Sequence, residues 1–263
     1  MKWSTGLLVM PPAFALLVAG AACSLPGQAP PAPAASAKID LASVARGGLL
    51  YDKWWKEVEG ASEPKGNHPL WASQSASKVS GSATWRCKEC HGWDYKGKDG
   101  AYGKGRRYTG FPGVWDAAQK KSVAELAASL GDSANKHNAF TGFKSTEVTD
   151  LANFLKYGVV DMTRYVDYAA KKPIGGNPAR GKTSYNELCA GCHGADGKDL
   201  NFGDASKPEY VGTVAKENPQ EFLHKTWVGQ PGSDPAMPSA LVAGWRIQQV
   251  VDVLAYAQTL PEK

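Results

Sequence analysis

The sequence lacks the residue patterns that mark several common classes of enzyme. Its 263 residues contain no Ser/His/Asp triad, no catalytic pair of carboxylates and no glycine loop of the kind that cradles phosphate. The glycines of residues 97–105 are scattered among Lys and Tyr, as in a flexible loop. The sequence therefore offers no hydrolytic or nucleotide-binding site of a familiar type.

Long apolar runs are also scarce. The most pronounced run, residues 6–22, follows Lys2 and contains Pro11 and Pro12. It is too short to be a convincing membrane span. A positive start, an apolar stretch and small residues at the end are instead typical of an export signal. We therefore predict a signal peptide over residues 1–22.

Cysteine is rare, with five in the chain, and four of the five lie in two copies of C-x-x-C-H. The copies are Cys87–His91 and Cys189–His193. This spacing is the attachment signature of a c-type haem, in which both thiols bind one porphyrin and the following His binds the iron. Zinc or a redox pair is the alternative, but each pair has its own His and the pairs are about a hundred residues apart. We predict two covalently bound haem c groups (iron), with these attachment and iron-binding residues: Cys87, Cys90, His91, Cys189, Cys192 and His193.

The fifth cysteine, Cys23, directly follows Gly20-Ala21-Ala22. This segment resembles a bacterial lipoprotein cleavage site, although Gly20 stands where Leu is usual. Ordinary signal cleavage nearby is the alternative. Residues 24–38 are rich in Pro and Ala without a hydrophobic period, which predicts an extended tether. We expect a tether over residues 23–38, a lipid anchor at Cys23, and a location in the periplasm or cell envelope of a bacterium.

The rest of the chain contains an internal repeat. Asn177-Pro178 is a good helix start, and the predicted helix runs through Arg180-Gly181 to the second haem motif. Arg46-Gly47 opens a similar segment, but there an insertion of about residues 52–85 precedes the haem motif. After each motif the sequence predicts a capped helix, starting at Ser122-x-x-Glu125 and at Asn218-Pro219-x-Glu221. Each copy then closes with an amphipathic helix, marked by Val148, Leu151, Ala152 and Leu155, and by Ile247, Val250, Val251 and Leu254.

Each copy resembles a class I cytochrome c domain, over about residues 40–160 and 174–263. The resemblance implies an all-α fold: two tandem cytochrome c-like helical domains with long loops around covalently bound haem. We place domain 1, with its insertion and linker, at residues 39–172, and domain 2 at residues 173–263. The linker itself is expected at Lys171–Gly176.

The resemblance also implies a sixth iron ligand in the loop before each closing helix. In domain 2 this is Met237, which lies 44 residues after His193 and before Pro238. Domain 1 has His137 in the matching place, 46 residues after His91. Its rivals are Met162, His68 and an open iron. We interpret His224, on a predicted helix, as a surface residue.

These ligands predict a bis-His haem 1 and a His/Met haem 2. Methionine ligation raises the potential of haem iron, so electrons should run from haem 1 to haem 2. The leading hypothesis is thus an exported dihaem cytochrome c that transfers electrons between redox partners. The alternatives are a dihaem enzyme of peroxidase or sulfur-compound dehydrogenase type, with Glu147 or Asp150 as acid/base, and a cytochrome subunit of a larger dehydrogenase complex.

Two segments bear on partners. Residues 86–107 carry seven basic and three acidic residues, a net charge of +4. This segment, near haem 1, is either a docking face for an acidic redox protein or a counter-charge for haem propionates. The insertion contains Trp54, Trp55 and Trp71, which favours a lid over haem or a packing patch. No nucleic-acid partner is expected of an exported protein.

Overall fold

The computed structural model describes residues 38–134 and 137–263, except for the side chain of Asn138. The predicted signal peptide, Cys23 and the tether up to residue 37 lie outside the described residues. We refer to residues 39–172 as the N-terminal region and to residues 173–263 as the C-terminal region.

About half of the described residues are helical, as the all-α prediction expects. The α-helices are α1 (Leu41–Lys53), α2 (Cys87–His91), α3 (Trp115–Lys120), α4 (Val123–Gly131), α5 (Ser145–Asn153), α6 (Pro178–Leu188), α7 (Ala190–His193), α8 (Val211–Glu217), α9 (Pro219–Val228) and α10 (Ile247–Ala257). One π-helical turn, Phe154–Gly158, continues α5. Short 3-10 helices cover Trp54–Lys56, Pro69–Ser73, Gly81–Trp85, Gly105–Arg107, His137–Ala139 and Met162–Arg164. Within the described ranges no helix is both long and apolar enough to span a bilayer.

The N-terminal region is built on the crossing of α1 and α5. The Asp40 carboxylate caps α1 by accepting from the backbone N–H of Ala42 and Ser43 at 2.9 and 3.1 Å. At the crossing point, a Cβ on Gly47 would overlap the carbonyl oxygen of Asp150. The two backbones can approach this closely only because residue 47 has no side chain.

The C-terminal region repeats this construction with α6 and α10. The Asn177 side chain accepts from the backbone N–H of Arg180 at 3.0 Å and so starts α6, as predicted. A Cβ on Gly181 would overlap the carbonyl oxygen of Asp252, just as at the first crossing. The apolar face of α10 is fully buried, with Val250, Val251 and Leu254 at 0% exposure.

Matching ion pairs bind the two helix crossings. Arg46 donates to both carboxylate oxygens of Asp150, at 2.8 and 3.1 Å. Arg180 donates to both oxygens of Asp252, at 2.7 and 3.0 Å. A bidentate pair fixes orientation as well as distance. The repeat read from the sequence is therefore also a repeat in the packing of α1 on α5 and of α6 on α10.

Residues 39–263 form one compact unit, in which the two regions share a core. The Trp227 indole N–H donates to the carbonyl of Gly158 at 3.0 Å, across the two regions. A Cβ on Gly48 would overlap the Val228 side chain, so α1 and α9 also pack closely. The division into two domains at residue 172 stays a prediction, because contact within this unit is continuous.

The predicted linker is folded as part of a short antiparallel β-hairpin. Strand β1 (Val166–Asp167) pairs with β2 (Lys172–Pro173). The Gln258 side-chain amide donates to the carbonyl of Lys171 at 2.7 Å, and the Lys171 ammonium donates to the carbonyl of Glu217 at 2.8 Å. Within the described part of the chain, β1 and β2 are the only strands.

Most of the predicted helix boundaries agree with the structure. Ser122 and Glu125 form the predicted capping box of α4. At Asn218 the helix starts as predicted, but the side chain of Asn218 donates to the Glu221 carboxylate at 2.7 Å and does not cap the backbone.

Candidate functional site

The two C-x-x-C-H motifs adopt the same backbone geometry. Helix α2 ends at His91 and is followed by Gly92 at φ +79°; α7 ends at His193 and is followed by Gly194 at φ +78°. These positive φ angles favour glycine. The carbonyl of each motif His accepts from the backbone N–H six residues later, that of Gly97 at 2.8 Å and that of Asp199 at 3.1 Å. The chain therefore turns back over each motif in the same way.

A buried tyrosine fixes each motif to the opening helix of its region. The Tyr51 hydroxyl donates to the carbonyl of Gly92 at 2.7 Å, and the Tyr185 hydroxyl donates to that of Gly194 at 3.0 Å. Both tyrosines are 1% exposed. Each lies five residues after the Arg of its Arg-Gly pair, which is the sequence signal for this shared role.

His91 is held in the tautomer that can bind a metal. Its Nδ1 lies 2.7 Å from the carbonyl oxygen of Pro112. Because a carbonyl only accepts, Nδ1 carries the proton and Nε2 keeps its lone pair. Burial lowers the pKa of His91 to about 4, against a smaller opposing effect of the Pro112 bond, so the ring is neutral at pH 7. A metal-binding His is oriented by this kind of second contact.

His137 lies opposite His91. The ring centroids are 5.9 Å apart. The Nδ1 of His137 lies 3.4 Å from the carbonyl oxygen of Ser129. Two imidazoles that bind one metal from opposite sides, each through a bond of about 2 Å, have centroids about 6 Å apart. These two residues therefore fit a haem iron between their rings.

The rivals of His137 are less suited to binding iron. His68 is 3% exposed, and its Nδ1 accepts from the backbone N–H of Leu70 at 3.1 Å. The proton of the neutral ring is then on Nε2, and neither nitrogen has a lone pair to offer. Met162 is 1% exposed and belongs to the apolar core.

The insertion packs against the loop that carries His137. Phe140, three residues after His137, lies 5.0 Å from the His68 ring and 5.8 Å from the Trp85 ring, centroid to centroid. Trp54 lies 6.2 Å from Phe140 in the same cluster. The tryptophans predicted to form a lid or packing patch, Trp54, Trp55 and Trp71, are all buried. The insertion thus covers the ligand loop of the N-terminal site.

The C-terminal motif opens on a cavity of about 1480 Å³. Its lining includes Cys189, Cys192, His193 and, from the opposite loop, Met237. The volume exceeds the roughly 300–1,000 Å³ of typical cofactor pockets, so a macrocycle can be accommodated. The structure therefore brings all four residues predicted for haem 2 to one cavity.

The chemistry of the cavity lining also suits a covalently bound haem. Burial raises the pKa of Cys189 to about 12, and that of Cys87 and Cys90 in the other motif to about 12. The buried thiols are therefore neutral at pH 7, and the thioethers that they would form with a covalently bound haem are neutral as well. None of the described cysteines is in a disulfide. His193 is also neutral, because burial lowers its pKa, and its Nδ1 is buried with no partner among the described residues.

The loop that carries Met237 is fixed at several points. The backbone N–H of Met237 donates to the Ser233 hydroxyl at 2.9 Å. The backbone N–H of Gly232 donates to the Glu57 carboxylate at 2.7 Å, across the two regions. The insertion, which begins near Glu57, thus contacts this ligand loop as well as the one that carries His137.

Most cations of the basic segment 86–107 are in ion pairs. Lys88 and Arg107 both pair with Glu89, and Arg86 pairs with Asp52. Lys225 of the C-terminal region lies 3.3 Å from the other oxygen of Asp52, although that oxygen makes no hydrogen bond of good geometry. Three of these cations, Arg86, Lys88 and Lys225, lie 5.1–5.7 Å from the centre of the fully buried Trp93 ring. Lys98, Lys104 and Arg106 are exposed.

The interpretation of His224 as a surface residue is wrong. Its side chain is 1% exposed, in the core between the two regions. Its Nε2 donates to the carbonyl of Gly48 at 3.1 Å, and its Nδ1 accepts from the Tyr95 hydroxyl at 2.9 Å. The helical period of α9 gave no sign of this, because α9 is buried on nearly every side.

The carboxylates considered for a peroxidase have structural contacts instead. Asp150 is 5% exposed and accepts from both Ser43 and Arg46 at the helix crossing. Glu147 accepts from the backbone N–H of Lys144 at 2.9 Å and caps α5. Neither residue is available as a distal acid or base in this arrangement.

One comparison with known proteins gives a match, and it lies in the C-terminal region. The family model described as cytochrome c matches residues 178–261. No curated protein and no solved structure gives a significant match to the chain. The match supports a cytochrome c domain at residues 178–261, with covalently bound haem c and iron, and a role as a haem-binding electron carrier.

Proposed function

We propose that this protein is an exported dihaem cytochrome c that carries electrons between redox partners. Electrons enter at the site of His91 and His137 and leave through the site of His193 and Met237. The facing rings of His91 and His137, whose centroids lie 5.9 Å apart, carry this proposal, and Nε2 of His91 keeps its lone pair. They fit a second, bis-His iron site outside the residues that the family model matches.

The repeated packing supports the same conclusion. Arg46 with Asp150, and Arg180 with Asp252, bind equivalent helix crossings. Tyr51 and Tyr185 hold the two motifs in equivalent ways. The C-terminal set lies in the part of the chain that matches the cytochrome c family model, so an N-terminal set with the same contacts supports a second such domain at about residues 39–172.

The side chains divide the work at each site. The haem supplies one-electron chemistry when it is bound. The two cysteines of each motif would hold the porphyrin, and His91 with His137, and His193 with Met237, would bind the two irons. With both positions filled, no place is left for a substrate, which favours a carrier over an enzyme. The aromatic cluster around Phe140 packs against the loop that carries His137.

The proposal includes attachment to the cell envelope. Residues 1–22 have the composition of an export signal, and Cys23 follows it directly. A lipid at Cys23 and the tether of residues 23–38 would hold the folded unit near a membrane, in the periplasm or at the cell envelope. The exposed cations Lys98, Lys104 and Arg106 are suited to an acidic redox protein as partner.

Electron paramagnetic resonance with near-infrared dichroism on the oxidised full-length protein tests the ligands. We expect one bis-His and one His/Met low-spin haem, and conversion of the bis-His signal to high spin in His137→Ala. His68→Gln is the matched control and should leave both signals in place. An unchanged bis-His signal in His137→Ala would show that His137 is not the ligand.

A further inference from the structure

The cavity of the C-terminal site has a wall that comes from the N-terminal region. Besides His193 and Met237, its lining includes Tyr102, Arg107 and Arg86. Tyr102, Arg107 and Arg86 lie in the basic segment 86–107, which contains the first haem motif. The site that the cytochrome c match would assign to one domain is therefore completed by residues outside that domain.

The two sides of the cavity differ in charge. The N-terminal wall contributes six basic side chains and no carboxylate: Lys53, Arg86, Lys104, Arg106, Arg107 and Lys171. The C-terminal side contributes two lysines and four carboxylates: Lys207, Lys225, Glu209, Glu217, Glu221 and Asp234. A ligand with negative groups at one edge is therefore attracted to the N-terminal wall.

Tyr102 supplies a buried donor in this wall. Its side chain is 4% exposed, and its hydroxyl is buried with no hydrogen-bond partner among the described residues. Burial raises its pKa well above the ordinary value, so the hydroxyl keeps its proton. Leaving such a group unpaired costs about 1–3 kcal/mol, so a native acceptor is expected.

Arg107 lies over the ring of Tyr102 and has N–H donors to spare. Its guanidinium carbon is 5.5 Å from the centre of the Tyr102 ring. The Glu89 carboxylate accepts from Nη1 of Arg107, at 3.1 and 3.3 Å. A guanidinium has five N–H donors, so this pair leaves others for a second carboxylate.

We propose that this wall binds the propionate carboxylates of the haem attached to Cys189 and Cys192, with Tyr102 as the buried hydrogen-bond donor and Arg107 as the nearest counter-charge. The inference rests on the proposed function, because it assumes a haem at the C-terminal site. The haem of one domain is then held partly by the other. Tyr102 acts here as a positioning residue, since it reaches the iron only through the propionate.

The test is a potentiometric titration of full-length holoprotein carrying Tyr102→Phe, followed separately at the His/Met and bis-His signals. A donor to a propionate offsets its negative charge and favours ferrous iron. Its removal should shift the reduction equilibrium of the His/Met haem toward the ferric form by about two- to tenfold. The bis-His haem should not change. Resonance Raman bands of the propionate bending modes should shift in the same variant.

Two further variants keep the test decisive. Tyr108→Phe removes a hydroxyl from an exposed ring of the same loop and should change neither haem. Arg106→Gln removes an exposed charge of the wall and should move the His/Met haem in the same direction, less at high salt. If Tyr102→Phe fails to incorporate haem, the potential of the His/Met haem in Arg106→Gln tests the proposal instead.

The contrary outcomes are distinct. Unchanged potential and unchanged Raman bands in Tyr102→Phe, or a shift confined to the bis-His haem, would overturn the inference while leaving two haems in place. A wild-type protein without a His/Met signal would instead overturn the proposed function, before any variant is made.

Discussion

At the scale of single residues, His224 shows how the two regions are joined. It is neutral in the described arrangement, with Nε2 donating to Gly48 and Nδ1 accepting from Tyr95. Burial is the main cause that lowers its pKa to about 4; Asp52 raises it, and Lys225 and Arg86 lower it. Tyr51 also packs against the ring, at 5.8 Å between centroids. The cost of burying the charged ring outweighs these favourable contacts, so the neutral form is preferred.

This predicts a loss of stability in acid. The folded pKa of His224, about 4, lies below its unfolded value of about 6.5, so the unfolded state binds the proton first as the pH falls. The stabilisation is complete above pH 6.5 and is lost between pH 6.5 and 4, by about 2 kcal/mol at pH 5. We expect His224→Gln to reduce the wild-type loss between pH 7 and 5 by that amount, measured by denaturant unfolding.

Tyr95→Phe is the matched control for this experiment. It removes one partner of His224 but leaves the imidazole in place. It should therefore lower the free energy of unfolding at pH 7 and leave the loss between pH 7 and 5 close to that of the wild type. An equal acid loss in wild type and His224→Gln would show that His224 does not titrate on unfolding.

At the scale of elements, the two helix crossings are the clearest repeat. Gly47 and Gly181 allow α1 to meet α5 and α6 to meet α10 at backbone contact. The same pattern appears in the sequence as an Arg-Gly pair with a Tyr five residues after the Arg. A helix interior ordinarily disfavours glycine, so its presence there has a packing reason.

Alanine at either position should therefore destabilise the fold. Gly47→Ala and Gly181→Ala each place a methyl group on a carbonyl oxygen, and overpacking of this kind costs about 1–3 kcal/mol. Gly131→Ala, at the exposed end of α4 with nothing near its Cβ position, should instead be neutral or stabilise by up to about 1 kcal/mol. Thermal and denaturant unfolding measure all three. Equal effects of Gly47→Ala and Gly131→Ala would refute the close crossing.

The sequence predicted the elements better than their contacts. Local patterns gave the capping box at Ser122, the start of α6 at Asn177 and the closing helices, because these depend on residues a few positions apart. The C-x-x-C-H spacing is likewise local. The burial of His224 and the bond from His91 to Pro112 depend on residues far apart in the sequence. Such contacts leave no periodic signal in the sequence. The contribution of Tyr102 to the C-terminal cavity could not be predicted for the same reason.

At the scale of the whole molecule, the two sites are unequal. The N-terminal site pairs two imidazoles, and the His91 ring is further polarised by its bond to Pro112. The C-terminal site offers Met237, and His193 has no such bond from Nδ1 among the described residues. Both differences favour ferric iron at the N-terminal site, so it should have the lower potential.

A spectropotentiometric titration measures this order. The bis-His haem should be reduced at the lower potential, with a gap on the order of 0.1 V, within the roughly 0.8 V that axial ligands span. Met237→His should narrow the gap by lowering the potential of the His/Met haem. His137→Met should narrow it by raising the potential of the bis-His haem. A His/Met haem that titrates below the bis-His haem would reverse the proposed direction of transfer.

The folded connector between the regions has a mechanical consequence. The β1–β2 hairpin is held to the C-terminal region by Gln258 and by the bond from Lys171 to Glu217, so the chain has no loose hinge at this point. Electron transfer between the two proposed haem sites would not require a movement of one region toward the other. The rate of electron transfer between the two sites should then be insensitive to the viscosity of the solvent. Two cytochromes joined by a flexible linker would show the opposite behaviour.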